Sequence, residues 1–168
     1  QNNSDLLVSA MYIPVCFAGL AAGSLVGFFF KLKIPVSVVM FIAMICFASA
    51  PILLCTIPHH TQIYWAEIFV SFIIAPFGMD MSFPAATIML STSVAREHQG
   101  LAASLVTTIQ NYSISIFLGF GGTVVRYLHK ESAPALTDIR NACYFAIGLA
   151  GLGTILAILA IFFELFAP

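Results

Sequence analysis

The chain holds four runs without a single Asp, Glu, Lys or Arg: Leu6 to Phe30, Ile34 to Ala66, His98 to Val125 and Asn141 to Phe163. Each is long enough to cross a bilayer, since a span needs about 20 mostly apolar residues and only a helix pairs its own backbone where water is absent. A fifth apolar stretch, Ile63 to about Leu90, also reads as a span, interrupted by Glu67 and Asp80. The composition agrees: 61% of residues are hydrophobic and 8% charged, against about 25% charged in a soluble domain. So apolar a chain has too little polar surface to coat a soluble core. The expectation is an all-α, polytopic membrane bundle of five transmembrane helices forming one domain over 1–168, with spans at 6–30, 35–57, 63–90, 99–127 and 141–165.

Six Lys and Arg against seven Asp and Glu leave a net charge of -1, which gives no electrostatic reason to bind nucleic acid. The first residue is Gln1 and no signal peptide is visible before the first span, so the sequence reads as a fragment of a longer protein. Cys16, Cys46, Cys55 and Cys143 lie in or at the rim of apolar runs without metal-ligand spacing and read as small apolar residues. His59 and His60 follow Pro58 in a turn; two adjacent histidines do not make a metal site, and no cofactor is expected. No phosphate-binding glycine loop, nucleophile elbow or HExxH is present, so nothing points to an enzyme.

Lys31 to Pro35 is a very short connection, which predicts that the first two helices are antiparallel neighbours. The longest loop is expected at His129 to Arg140. Charge does not orient the bundle. Lys31, Lys33 and Arg96 fall on one side and Arg126, Lys130 and Arg140 on the other, a tie at three each. The sequon Asn2-Asn3-Ser4 would favour an outside N-terminus but abuts the first span, and Asn111-Tyr112-Ser113 is a sequon buried in mid-span.

Polar residues inside spans carry the functional reading. On the first helix Gly19, Gly23 and Gly27 recur every four residues on one face, a stripe suited to close helix packing or to sliding. On the fourth, Ser104, Thr108, Asn111, Ser115, Gly119 and Gly122 form a polar and small stripe, with Gln110, Asn111 and Tyr112 near the middle. An amide in hydrocarbon must look at other helices or at water. Asn111 therefore either bonds a neighbouring helix or lines a substrate path, and Gln110, about 100° away around the axis, is the weaker candidate. Glu67 and Asp80, about 140° apart on the third helix, cannot share a face. Glu67 reads as an interfacial acid. Asp80, deeper and between Pro76 and Pro84, is either linked to protons or substrate, or is a buried acid paired with a base or lying at the inner rim.

At Phe83-Pro84-Ala85-Ala86-Thr87, Gln99-Gly100-Leu101-Ala102-Ala103-Ser104-Leu105 and Asn111-Tyr112-Ser113-Ile114-Ser115 the sequence resembles the fungal fourteen-span drug:proton antiporters of the major facilitator superfamily. The resemblance is closest over 63–125. It implies the last five of twelve core helices, with Gln1 outside and Pro168 inside. Gly23-Ser24-Leu25-Val26-Gly27-Phe28-Phe29-Phe30-Lys31 fits the family's G-x-L-x-D-x-x-G-[RK] signature at its first glycine, leucine and basic end. Gly27 stands in place of the acid and Phe30 in place of the second glycine, so no charged latch is implied here.

The resemblance implies a piece of a C-terminal transporter half that exports small molecules by proton-coupled alternating access, its partners being substrate, protons, lipid and a missing N-terminal half. The substrate-path candidates are Asn111, Tyr112, Ser115 and Gln110; Asp80 is the proton-coupling candidate; Gly19, Gly23, Gly27, Gly119 and Gly122 are the packing candidates. The alternative is a non-transporting membrane subunit or receptor-like bundle.

Overall fold

The computed structural model describes residues 9–56, 68–129 and 135–166. Glu67, His59, His60, the Asn2 sequon, Lys130 and the expected beginnings of the first and third spans lie outside them. The described residues form five long helices, α1 (Ile13–Lys31), α2 (Val36–Cys55), α3 (Phe69–Thr92), α4 (Gln99–Leu128) and α5 (Ala135–Phe166), with a short 3-10 turn at Arg96–His98 before α4. All five are long and apolar enough to cross a membrane.

Local chemistry sets the ends. Pro14 stands in the first turn of α1, where its missing N–H costs nothing, and Pro35 caps α2. α1 closes in a Schellman motif: the Lys33 N–H donates to the Phe30 carbonyl and the Ile34 N–H to the Phe29 carbonyl, both at 3.1 Å. Lys33 holds the left-handed position with φ 56°, where glycine is the usual occupant.

α5 begins at Ala135, six residues before the expected Asn141. Asp138 fits its first turn, where a carboxylate faces the positive end of the helix dipole. His129 Nδ1 lies 2.7 Å from Asp138 Oδ2, joining the end of α4 to the start of α5. Charges excluded from a span's centre are acceptable in its first turn, which is why the charge-free run underestimated this helix.

The expected pairing of the first two helices is corrected by the structure. α1 and α2 touch little, and each packs chiefly on α3. The core lies where the three meet: Ala22 and Val26 of α1, Val39 and Ala43 of α2, Met81 and Ala85 of α3. A short turn fixes the order of two helices, but their lateral neighbours are decided by which faces carry small side chains. α2 also packs on α5, and α4 on both α3 and α5.

Small residues make the close approaches. A Cβ at Gly78 would lie 2.8 Å from Phe47 Cγ, and one at Gly153 would lie 2.8 Å from Met44 Sδ. Ser71, 2% exposed, donates from Oγ to the Ala50 carbonyl at 3.1 Å and ties α3 to α2.

Candidate functional site

Asp80 stands at the middle of α3, eleven residues from Phe69 and twelve from Thr92. At 1.5 Å per residue that is about 17 Å from either end, the depth of the midplane. Gly19 of α1 faces it. A Cβ at Gly19 would lie 2.8 Å from Asp80 Oδ2, so this glycine makes the space in which the carboxylate sits. Among the described residues no side chain donates a hydrogen bond to Asp80 or pairs with its charge. An acid in that position faces a protein or water interior and by default marks a function. Pro84, four residues on, has no N–H to offer the Asp80 backbone carbonyl, so a second oxygen of the same residue loses its helical donor.

Two clefts meet beside this residue. The first, of about 770 Å³, runs over α3 between α1 and α4 and is lined by Gly19, Gly23 and Ser24, by Asp80 and Phe83, and by Gln110 of α4. The second, of about 800 Å³, lies among α2, α3 and α4 and is largely apolar, with Met40, Met44, Met89, Phe47 and Phe117 in its lining. Met79, Phe83 and Gln110 line both. A carboxylate on one side of a Met and Phe partition, with thioethers and rings on the other, can hold a cationic group and an apolar body at once. Methionine suits this, being flexible and polarisable enough to follow ligands of different shape.

The other sequence candidates fall elsewhere. Asn111, Tyr112 and Ser115 are on the exposed face of α4 and line neither cleft. The Ser104, Thr108 and Ser115 hydroxyls donate to carbonyls of their own helix, at 2.8, 2.9 and 3.0 Å. The side-chain amides of Gln110 and Asn111 have no hydrogen-bond partner among the described residues. A Cβ at Gly23, Gly27, Gly119 or Gly122 meets nothing within 4 Å, so these glycines bring no described helices together. The buried face of α1 is instead Ala18, Ala22 and Val26, one position away from the glycine stripe. Sequence reasoning ranked Gln110 below Asn111 because the polar stripe centres on Asn111. The signal it lacked is the side of α4 that meets α3, which no periodicity on α4 alone reveals. It also missed Phe83 and Met79, ordinary apolar residues in a span, and the neighbouring thiols of Cys55 and Cys143.

No family model and no solved structure matches the chain. Curated sequences do. A low affinity ammonium transporter of Saccharomyces cerevisiae is 50% identical over 157 residues, 94% of this chain and 30% of the relative. An uncharacterised MFS-type transporter of Schizosaccharomyces pombe is 48% identical over 159 residues, 95% of this chain and 30% of the relative. An efflux pump of Aspergillus terreus is 44% identical over 153 residues, 91% of this chain and 29% of the relative. The chain matches part of the sequence of major facilitator superfamily transporters. It spans about 30% of the length of the relatives it matches. These major facilitator relatives are named as transporters rather than enzymes, and with five apolar helices the chain is an integral, multi-pass membrane protein.

Proposed function

We propose that the chain forms one side of the path through which a larger transporter moves small molecules by alternating access, and that Asp80 couples that movement to protons. The observation that carries the reading is the mid-depth carboxylate of Asp80, unpaired against Gly19 in a cleft shared with Gln110. In the proposed cycle the carboxylate either holds a cationic substrate or carries a proton, not both. Arrival of the cation expels the proton, and reprotonation on the other side releases the cation. The apolar cleft beyond Met79 and Phe83 takes the substrate's hydrocarbon portion, which favours amphipathic amines and other organic cations. One relative is named for ammonium, itself a cation, and another as an efflux pump, which supports both charge and direction as variables of one site.

The exposed polar face of α4 supports a second element of the reading. Asn111, Tyr112 and Ser115 at mid-span are costly against lipid, so in the proposed transporter they look across a water-filled path toward a further half. Their roles as path-lining groups, and those of Gly23, Gly27, Gly119 and Gly122 as contacts for that half, belong to this proposal.

The test is transport by the full-length protein in proteoliposomes with an imposed pH gradient. Asp80→Asn keeps the shape but cannot load and release a proton. The expected result is loss of gradient-driven accumulation with the protein still folded. Accumulation by Asp80→Asn at the wild-type rate removes Asp80 from the coupling.

A further inference from the structure

Four cysteines are free, and two of them, far apart in sequence, have been brought together. Cys55 is the last residue of α2, and Cys143 lies nine residues into α5, where it is 7% exposed. Their side chains are neighbours. The Cys55 Sγ also reaches the Arg140 carbonyl at 3.9 Å, nearly one helical turn before Cys143, which holds the end of α2 against α5.

The location gives Cys55 access to water-borne reagents. The end of α2 and the start of α5 are on the same side of the bundle, because an even number of crossings separates them. α5, with 32 residues, is about 48 Å long, well beyond the hydrocarbon thickness of about 30 Å. Its first turns therefore stand at or outside the interface, and Cys55, half-buried at a helix end, is the more accessible thiol.

We propose that Cys55 and Cys143 are a modification site, a dithiol that hydrogen peroxide converts to a disulfide stapling α2 to α5. The Cys55 thiolate attacks one peroxide oxygen, the O–O bond breaks, and the departing hydroxide takes up the thiol proton as water, leaving a sulfenic acid. The Cys143 sulfur then attacks the Cys55 sulfur, the S–O bond breaks, and a second water leaves. Two electrons pass to the peroxide and one S–S bond forms. The bond joins helices that already pack on each other, and it lies outside the Asp80 cleft, which is lined by α1, α3 and α4. Oxidation therefore stiffens the contact between α2 and α5 and leaves the Asp80 cleft in place. This inference goes beyond the transport reading and stands without it.

The experiment treats membranes containing the full-length protein with graded hydrogen peroxide, blocks remaining thiols with N-ethylmaleimide, and maps peptides by mass spectrometry without reductant. The expected result is a Cys55–Cys143 linked peptide whose yield rises with peroxide and vanishes with dithiothreitol, while Cys16 and Cys46 stay labelled. The apparent melting temperature of the oxidised protein rises by several degrees, and C55S and C143S show no rise. Three results overturn the proposal: Cys55 over-oxidised to sulfinic acid while Cys143 remains labelled, links made to Cys16 or Cys46 instead, or no linked peptide at any dose that oxidises Cys55. If either serine variant fails to fold, C55A and C143A replace it, and the linked peptide in the unsubstituted protein decides by itself.

Discussion

Replacing Gly19 by alanine probes the seat of Asp80 without altering any charge. The new Cβ would stand 2.8 Å from Asp80 Oδ2, where ordinary contact begins at 3.4 Å, so the carboxylate must withdraw by about 0.6 Å. Turning a short side chain off its rotamer costs about 0.5 to 1.5 kcal/mol. Against this, glycine to alanine inside a helix gains about 1 kcal/mol. The two nearly cancel, and Gly19→Ala is expected to change unfolding free energy by less than about 0.5 kcal/mol. In an Asp80→Ala background the obstacle is gone and the same substitution should show its full gain, giving a coupling of about 1 kcal/mol between the positions. The assay is a double-mutant cycle on the full-length protein, read by denaturant unfolding in detergent, with transport measured in parallel. Gly148→Ala in α5, where a Cβ meets nothing within 4 Å, is the control and should show the gain in both backgrounds. Additivity of Gly19→Ala and Asp80→Ala within about 0.3 kcal/mol would refute the contact.

Other outcomes follow from single residues. Lys33→Gly should stabilise the turn after α1 by about 1 kcal/mol, since glycine adopts the φ of 56° without steric penalty; an unchanged unfolding midpoint contradicts the Schellman assignment. Ser71→Ala removes the buried bond to the Ala50 carbonyl and should cost about 0.6 kcal/mol, the average for such bonds in membranes, with transport unaffected. Asn111→Ala in the full-length protein should alter apparent affinity or substrate preference and leave stability nearly intact, and a loss of stability alone would make Asn111 a packing residue. Labelling of introduced cysteines from each side should find the start of α1 and the end of α5 on opposite faces of the membrane; the same face for both would exclude five crossings.

Much of this was legible in the sequence, for identifiable reasons. The helices follow from runs that no charge interrupts, and Asp80 stands out because an acid inside such a run is rare. The start of α5 was not legible from the same signal, since Asp138 in its first turn and Arg140 in its second are tolerated outside the apolar core. Nor was the arrangement of α1, α2 and α3, which depends on Ala22 and Val26, Val39 and Ala43, and Met81 and Ala85 packing together where the three helices meet. Gly19 read as one member of a packing stripe, whereas the structure sets it apart from Gly23 and Gly27 as the residue that admits the carboxylate. The choice between Gln110 and Asn111 turned on a helix rotation that only the packed neighbours define.

The central claim is that Asp80 exchanges a proton for a cation. The most direct measurement is proton release from the purified full-length protein in weakly buffered detergent when an organic cation it transports is added. Proton release on addition of the cation is expected from the unsubstituted protein, because a positive charge beside a carboxyl favours its ionised form. Asp80→Asn should bind more weakly and release none. Equal proton release from Asp80→Asn would contradict the exchange at this residue.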